Sequence, residues 1–378
     1  MTAIKNAVIV MEDHYIPNGT ILTDGGKITD FGKDLPIPAG AEIVDAGGNY
    51  LGPGLIDIHT HSDGKYFFYE NPEESAKTLL RHGVTSYMAA IYYNLDKKDF
   101  LGAIQTIDAA RAAGKCPNFI GYYMEGPYLN PKFGCDRENN PWKGPVDRAD
   151  YEPILEQVKK TARVWCVAPE REGIEDFCRE VRAEIPNIVF SVAHSEATPQ
   201  QIEALMPYGL RLGTHHTNAT GTLEFYPECR GVCVDETVNY NNDIYAELIC
   251  DSLGIHVNPY MLRLVRKIKG DRRIILISDA FVFDGKPIPG CEEAFDINFD
   301  DNGEIAGSKM TLDIACANMI KHTGCSVCDA FRFASGNPAR LLGLADKGAI
   351  KKGNAADLVI VDPWFKIKNI IFKGEVVK

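Results

Sequence analysis

The rhythm of apolar and polar positions changes twice along this chain. Over residues 1–52, short apolar stretches at 7–11, 19–23, 27–31 and 42–45 are separated by turn pairs such as Asn18-Gly19 and Gly25-Gly26, and no helical period intrudes. The far end repeats the pattern, with apolar segments at 357–361, 367–372 and 375–378 around Lys373-Gly374. Neither piece is large enough to bury a core by itself. The two termini are therefore expected to complete one small β-sandwich domain, built from 1–52 and 346–378.

Between them, apolar runs of strand length alternate with amphipathic helical stretches. The expected strands cover 55–61, 85–90, 119–125, 164–170, 188–194, 210–215, 245–251 and 273–279, and the expected helices 72–82, 97–113, 151–162, 174–185, 198–206 and 259–269. Thr198, followed three residues later by Gln201, reads as a helix cap. A hairpin-like insertion with an Asn302-Gly303 turn then precedes a helix resuming at Thr311. Eight strand–helix units over 53–345 predict an α/β fold, a closed (β/α)8 barrel of TIM type. The runner-up, an open doubly wound sheet, would want a G-x-G-x-x-G after an early strand, and the sequence has none.

Composition narrows the partners. With 40 basic against 52 acidic residues among 378, the net charge of −12 argues against nucleic acid or an anionic membrane. The N-terminal apolar run is too short for a signal peptide, and no run of about 18 apolar residues occurs, so a cytoplasmic protein is expected. The eleven cysteines show no framework, and Cys229/Cys233 and Cys325/Cys328 lack the second half of a zinc knuckle. They are expected to be reduced thiols.

The chemistry gathers where strands end. In the stretch 55–61, entered through what reads as a tight Gly52-Pro53-Gly54 turn, His59 and His61 stand two apart and so share one side of a strand. Later strands end in Glu125, His194, His215 and Asp279. In a parallel barrel these ends converge over one mouth, bringing four imidazoles and two carboxylates together. Such donors suit Zn²⁺, Fe²⁺ or Mn²⁺ at a hydrolytic site. His216, the immediate neighbour of His215, must point the other way and is expected to pack.

Several segments now carry a resemblance: Pro53-Gly54-Leu55-Ile56-Asp57-Ile58-His59-Thr60-His61, Glu125-Gly126-Pro127-Tyr128-Leu129-Asn130-Pro131, His194-Ser195-Glu196-Ala197-Thr198, Thr214-His215-His216-Thr217-Asn218-Ala219 and Ser278-Asp279-Ala280. Together they resemble the amidohydrolase superfamily and, within it, the N-acetylglucosamine-6-phosphate deacetylase family. The likeness runs nearly end to end and includes Gly353-Asn354-Ala355-Ala356-Asp357-Leu358. The bridging lysine of dihydropyrimidinase-like and urease-like relatives has no counterpart in 164–170.

The resemblance implies a metal site of Glu125, His194 and His215. It leaves room for a second ion on His59 and His61, with Glu125 and Asp279 shared or nearby. Zn²⁺ or Fe²⁺ is expected, with Mn²⁺ compatible. Asp279 matches the catalytic aspartate, which would take a proton from water and deliver it to the leaving amine. Asn218, Ala219, His256 and the segment Ile305-Ala306-Gly307 fall where the family contacts its sugar, and His256 would help to stabilise the oxyanion. The implied reaction removes acetate from an N-acetylated amino sugar, N-acetylglucosamine 6-phosphate or an epimer, and the family's habit implies a homodimer.

Three loops depart from the family. The loop that contacts the sugar is replaced by Lys132-Phe133-Gly134-Cys135-Asp136-Arg137-Glu138-Asn139-Asn140, with Cys135 among its candidate substrate contacts. The glycine-rich stretch after His61 is replaced by 62–69, and the arginine segment that grips the phosphate is missing, leaving Arg230 as the nearest candidate. These departures keep a second reading open: an amidohydrolase acting on another small amide, such as an unphosphorylated N-acetyl sugar or an N-acyl amino acid. A non-catalytic barrel scaffold is the third and weakest, because no ligand position is lost.

Overall fold

In the computed structural model, which describes residues 1–224, 226–283 and 285–377, the first strands pair as their apolar pattern requires. β1 (Thr2–Val10), β2 (Tyr15–Asp24) and β3 (Lys27–Lys33) form an antiparallel meander. β4 (Glu42–Asp45) and β5 (Tyr50–Pro53) then run parallel to the two halves of β1. The expected turn at Gly52-Pro53-Gly54 is not one, since Gly52 and Pro53 finish β5. The glycines answer crowding instead. A Cβ on Gly52 would lie 2.4 Å from the Phe331 ring, and one on Gly54 would lie 2.1 Å from the Thr85 hydroxyl.

The next strands are β6 (Leu55–Thr60), β7 (Val84–Tyr92), β8 (Phe119–Glu125), β9 (Ala162–Val167), β10 (Val189–Val192), β11 (Leu210–Gly213), β12 (Tyr245–Ile249) and β13 (Ile274–Ile277). They lie side by side in chain order, all parallel. Helices α1 (Pro72–Arg81), α2 (Lys97–Ala112), α3 (Arg148–Val158), α4 (Ile174–Glu184), α5 (Pro199–Leu205), α6 (Val234–Tyr240) and α7 (Pro259–Lys269) fill the connections. The ring closes where Asp279 donates its N–H to His59 O at 2.9 Å and His61 donates to Ala280 O at 3.0 Å. Beneath that seam the Ser278 hydroxyl donates to the fully buried Asp57 carboxylate at 2.6 Å. The fold is the expected (β/α)8 barrel.

Local chemistry explains the boundaries. Thr198 and Gln201 form the reciprocal cap read from the sequence. α3 begins three residues earlier than expected because the Asp147 side chain accepts the Ala149 N–H and starts the helix there. α6 escaped the sequence reading. It is a single seven-residue stretch started by Glu236, whose carboxylate accepts the Cys233 N–H.

After the barrel, β14 (Ile297–Phe299) and β15 (Ile305–Ser308) form the expected hairpin. α8 (Leu312–Thr323), α9 (Val327–Phe331) and α10 (Asn337–Leu342) follow. The chain then returns to its start. β16 (Leu358–Val361) pairs antiparallel with β5, and β17 (Ile367–Phe372) and β18 (Glu375–Val376) extend the same eight-stranded sheet. That sheet buries its own apolar cluster, which includes Ile4, Ile9, Ile21, Leu51, Leu358 and Ile371. Among the described residues no helix is long and apolar enough to cross a membrane.

Candidate active site

Three of the site residues lie just past strands that stop short of their expected ends. β10 ends two residues before His194, β11 two before His215 and β13 two before Asp279. Each of the three takes a left-handed backbone, with φ of 44°, 29° and 45°. Non-glycine residues avoid that region unless the surroundings enforce it. Here it lets each side chain join the cluster over the barrel mouth.

Glu125, the last residue of β8, sits at the centre. Its Oε1 is 3.1 Å from His194 Nε2 and 3.3 Å from His215 Nε2, while its Oε2 is 3.1 Å from His61 Nε2. Asp279 Oδ1 is 3.5 Å from both His59 Nε2 and His61 Nε2. Two triads result, Glu125/His194/His215 and His59/His61/Asp279, and within each the ligand atoms lie within 4.8 Å of one another. All six residues are buried.

Other side chains hold this cluster from behind. His59 Nδ1 is 3.2 Å from Glu247 Oε2, which also accepts the Tyr123 hydroxyl at 3.1 Å and the His215 N–H at 3.2 Å. Tyr123 stacks on the His59 ring at 4.1 Å. Glu170 ties the loops flanking His194, accepting from Ser195 Oγ at 2.7 Å and Asn130 Nδ2 at 2.8 Å. His256 Nδ1 faces Asp251 Oδ2 at 3.2 Å, and its buried Nε2 has no partner. Burial pushes the Asp251 carboxyl up, but the His256 contact and the N–H groups of Ile255 and His256 outweigh it and hold the carboxyl well below its usual range.

The donor set fits a cation. His194 Nε2 and His215 Nε2 face each other at 3.1 Å around one carboxylate oxygen, and His59 Nε2 is buried without a hydrogen-bond partner. Burial raises Glu125, yet contacts from His194, His215 and His61 draw it well below the carboxylate range. Burial likewise opposes charge on His61 and His215, and the neighbouring carboxylates override it, raising both to about 9. Burial depresses His194, which shares Glu125 with the other two. The cluster thus attracts positive charge, and a divalent ion would displace those protons.

The site opens into a cavity of about 560 Å³. Asn218, Ala219, His256, Ile305, Ala306, Gly307 and Cys135 line it together with His61, Glu125, His194, His215 and Asp279. Gly307, at φ 66°, lies so close to the Asp279 backbone that a Cβ would be 2.5 Å from its carbonyl oxygen. His216 packs outside, its Nε2 3.1 Å from Asn239 Oδ1.

Arg230 is the exception. It lies outside the cavity, its side chain 81% exposed and its Nη2 donating to Glu236 at 2.6 Å. The carboxylate that starts α6 draws it to the surface. The sequence reading also missed residues that matter. Tyr92, Tyr93 and Phe281 wall the cavity, and Lys132, Arg137 and Glu304 stand on its rim. Tyr92 and Tyr93 could have been found at the true end of β7, and Glu247 as a carboxylate inside an otherwise apolar strand. Arg137, in a single 3-10 turn of the loop that replaces the family's sugar-contacting stretch, was not singled out there.

A closed β/α barrel with paired histidine–carboxylate triads over the strand ends defines a metal-dependent hydrolase. The amidohydrolase family model matches residues 50–377, and the chain belongs to that family. It is similar to the N-acetylglucosamine-6-phosphate deacetylase of Bacillus subtilis (strain 168), with 26% identity over 393 residues covering 99% of this chain and 96% of the relative. It is 28% identical over 361 residues to the N-acetylgalactosamine-6-phosphate deacetylase of Escherichia coli O157:H7, covering 90% of each. The fold matches the crystal structure of N-acetylglucosamine-6-phosphate deacetylase from Pasteurella multocida with a TM-score of 0.85, at 22% identity and 99% coverage of both chains.

Proposed function

We propose that this protein hydrolyses the N-acetyl amide of an amino-sugar 6-phosphate, N-acetylglucosamine 6-phosphate or its galacto epimer, to the amino sugar phosphate and acetate. The observation that carries this reading is the meeting of both triads in one cavity, in a chain whose full-length relatives bear those substrates in their names. Glu125, His194 and His215 would hold one Zn²⁺ or Fe²⁺. His59, His61 and Asp279, with Oε2 of Glu125, would hold a second ion, and Mn²⁺ suits the same donors.

A bound divalent cation supplies Lewis acidity to the amide carbonyl and acidifies water. Asp279 is the proton carrier. Burial raises its carboxyl, but His59 and His61 outweigh that and hold it at about 2, so it is ionised. It takes the proton of the attacking water and returns it to the amide nitrogen, because an amine leaves only once protonated. His256, fixed through Nδ1 by Asp251, presents Nε2 to the acetyl oxygen. Asn218, anchored by donating to His256 O at 2.8 Å, turns a buried Oδ1 without a partner toward sugar hydroxyls. Tyr92, Tyr93 and Phe281 exclude bulk water.

The terminal sheet, 1–52 with 346–378, acts as a domain separate from the barrel at 53–345, a division supported by its own apolar cluster. The protein works as a homodimer in the cytoplasm; the free thiols of all eleven cysteines support that compartment. The test is acetate release by protein loaded with Zn²⁺ or Fe²⁺ from a panel of N-acetylhexosamines and their 6-phosphates. No release from any of them would overturn the reading. The position of Arg230 outside the cavity favours a second reading, an unphosphorylated N-acetyl sugar or N-acyl amino acid as substrate, and in that case inorganic phosphate would not compete.

A further inference from the structure

We infer that Arg137, and not Arg230, recognises the anionic end of the substrate, a phosphomonoester, from within the same subunit. The inference rests on the proposed reading that the substrate carries a phosphate.

Among the described residues lining the cavity, the permanently cationic ones are Lys132 and Arg137. Lys132 is 64% exposed, and its ammonium is drawn off to Glu196 at 2.6 Å. Arg137 is held across the mouth. Its Nη1 donates to Gly134 O at 2.9 Å and to Glu304 Oε2 at 3.0 Å, and its Nη2 donates to Glu304 Oε1 at 2.5 Å. The guanidinium therefore joins the loop after β8 to the turn that leads into β15. Both anchors adjoin the reacting centre. A Cβ on Gly134 would lie 2.8 Å from His194 Nδ1, and Glu304 precedes the Ile305-Ala306-Gly307 segment that packs on Asp279. Arg137, Gly134 and Glu304 line the same cavity as Asp279.

The pairing leaves the useful edge of the guanidinium open. Glu304 and Gly134 occupy both hydrogens of Nη1 and one of Nη2. The remaining fork, Nε–H with the second Nη2 hydrogen, has no partner among the described residues. Two parallel N–H groups are the geometry that takes two oxygens of a phosphate, which a lysine cannot reproduce. Glu304 then serves to orient the fork.

The test uses the full-length, metal-loaded protein as wild type, Arg137→Gln and Arg230→Gln. It reads kcat/KM on an N-acetylhexosamine 6-phosphate and on the same sugar without phosphate, together with the rise in melting temperature on adding inorganic phosphate. Arg137→Gln is expected to lower the ratio of the two kcat/KM values at least about 30-fold, mainly through KM of the phosphorylated sugar, and to abolish the phosphate-dependent rise. An equal loss on both sugars would show a merely structural latch and overturn the inference, as would the same loss of ratio in Arg230→Gln instead. Should wild type release no acetate while phosphate still protects it in an Arg137-dependent way, the anion site stands and the proposed reaction falls. If phosphate protects neither wild type nor variant, the anion site falls.

Discussion

Glu247 Oε2 lies 3.2 Å from His59 Nδ1, the ring nitrogen opposite the one that faces Glu125 and Asp279. A fully buried carboxylate there keeps the proton on Nδ1 and turns the Nε2 lone pair toward the centre. Glu247→Gln replaces that acceptor with an amide that can also donate, so the wrong tautomer becomes available. Metal affinity is expected to fall roughly 10- to 100-fold, read by competition with a chromophoric chelator. Unchanged affinity would mean that something other than Glu247 sets the tautomer.

In the proposed reaction Asp279 carries the proton, whereas Glu125, His194 and His215 would hold an ion without it. Asp279→Asn should keep the ion of Glu125, His194 and His215 by elemental analysis and lose about 10²- to 10⁴-fold in kcat. Turnover at the wild-type rate would remove Asp279 from the role of proton carrier.

Chelation should destabilise the fold. Six buried donors facing one another are relieved by a cation, and free ion at 100 times its Kd contributes about 2.7 kcal/mol to the folded state. Dialysis against a chelator is expected to lower the melting temperature by several degrees, restored by Zn²⁺. In His194→Ala the response to Zn²⁺ should be much smaller, and an undiminished response would count against His194 as a ligand.

Acid should weaken the junction of α7 with α9. Asp329 accepts the Ser326 N–H at 3.1 Å and hydroxyl at 2.9 Å, Arg266 Nη2 at 3.0 Å and Arg332 Nη1 at 2.5 Å. Burial raises this carboxyl, but the Ser326 and Arg332 contacts and the Arg266 charge prevail and hold it below the ordinary 3.8. A carboxyl depressed in the folded state binds fewer protons there than when unfolded, so its stabilisation is complete above pH 3.8 and is lost as pH falls through the lower folded value. The melting-temperature gap between wild type and Asp329→Asn should therefore narrow in that acid window. A gap that stayed constant would contradict the assignment.

The barrel and the cluster were legible because the same residues carry both signals. A buried parallel strand reads as a largely apolar run, and a carboxylate or imidazole at its end or just past it, as with Glu125, His194 and Asp279, marks the mouth. What escaped had local rather than periodic causes. Gly52-Pro53-Gly54 has turn composition, yet its glycines are there because Phe331 and Thr85 approach the backbone. Glu247 hides inside β12 because its partners come from β6, β8 and the loop after β11. Arg137 and Arg230 both sit in connections between the barrel's main elements, where only the folded positions of Glu304 and Glu236 decide which arginine reaches the cavity.

β5 lies between β1, its near neighbour in sequence, and β16, which pairs with it from some three hundred residues further along. During synthesis the Tyr50–Pro53 edge therefore emerges some three hundred residues before its second partner, and it waits with unpaired backbone groups until β16 has been made. A chain stalled in that interval would offer the open edge to other chains, an exposure that pairing with β16 removes.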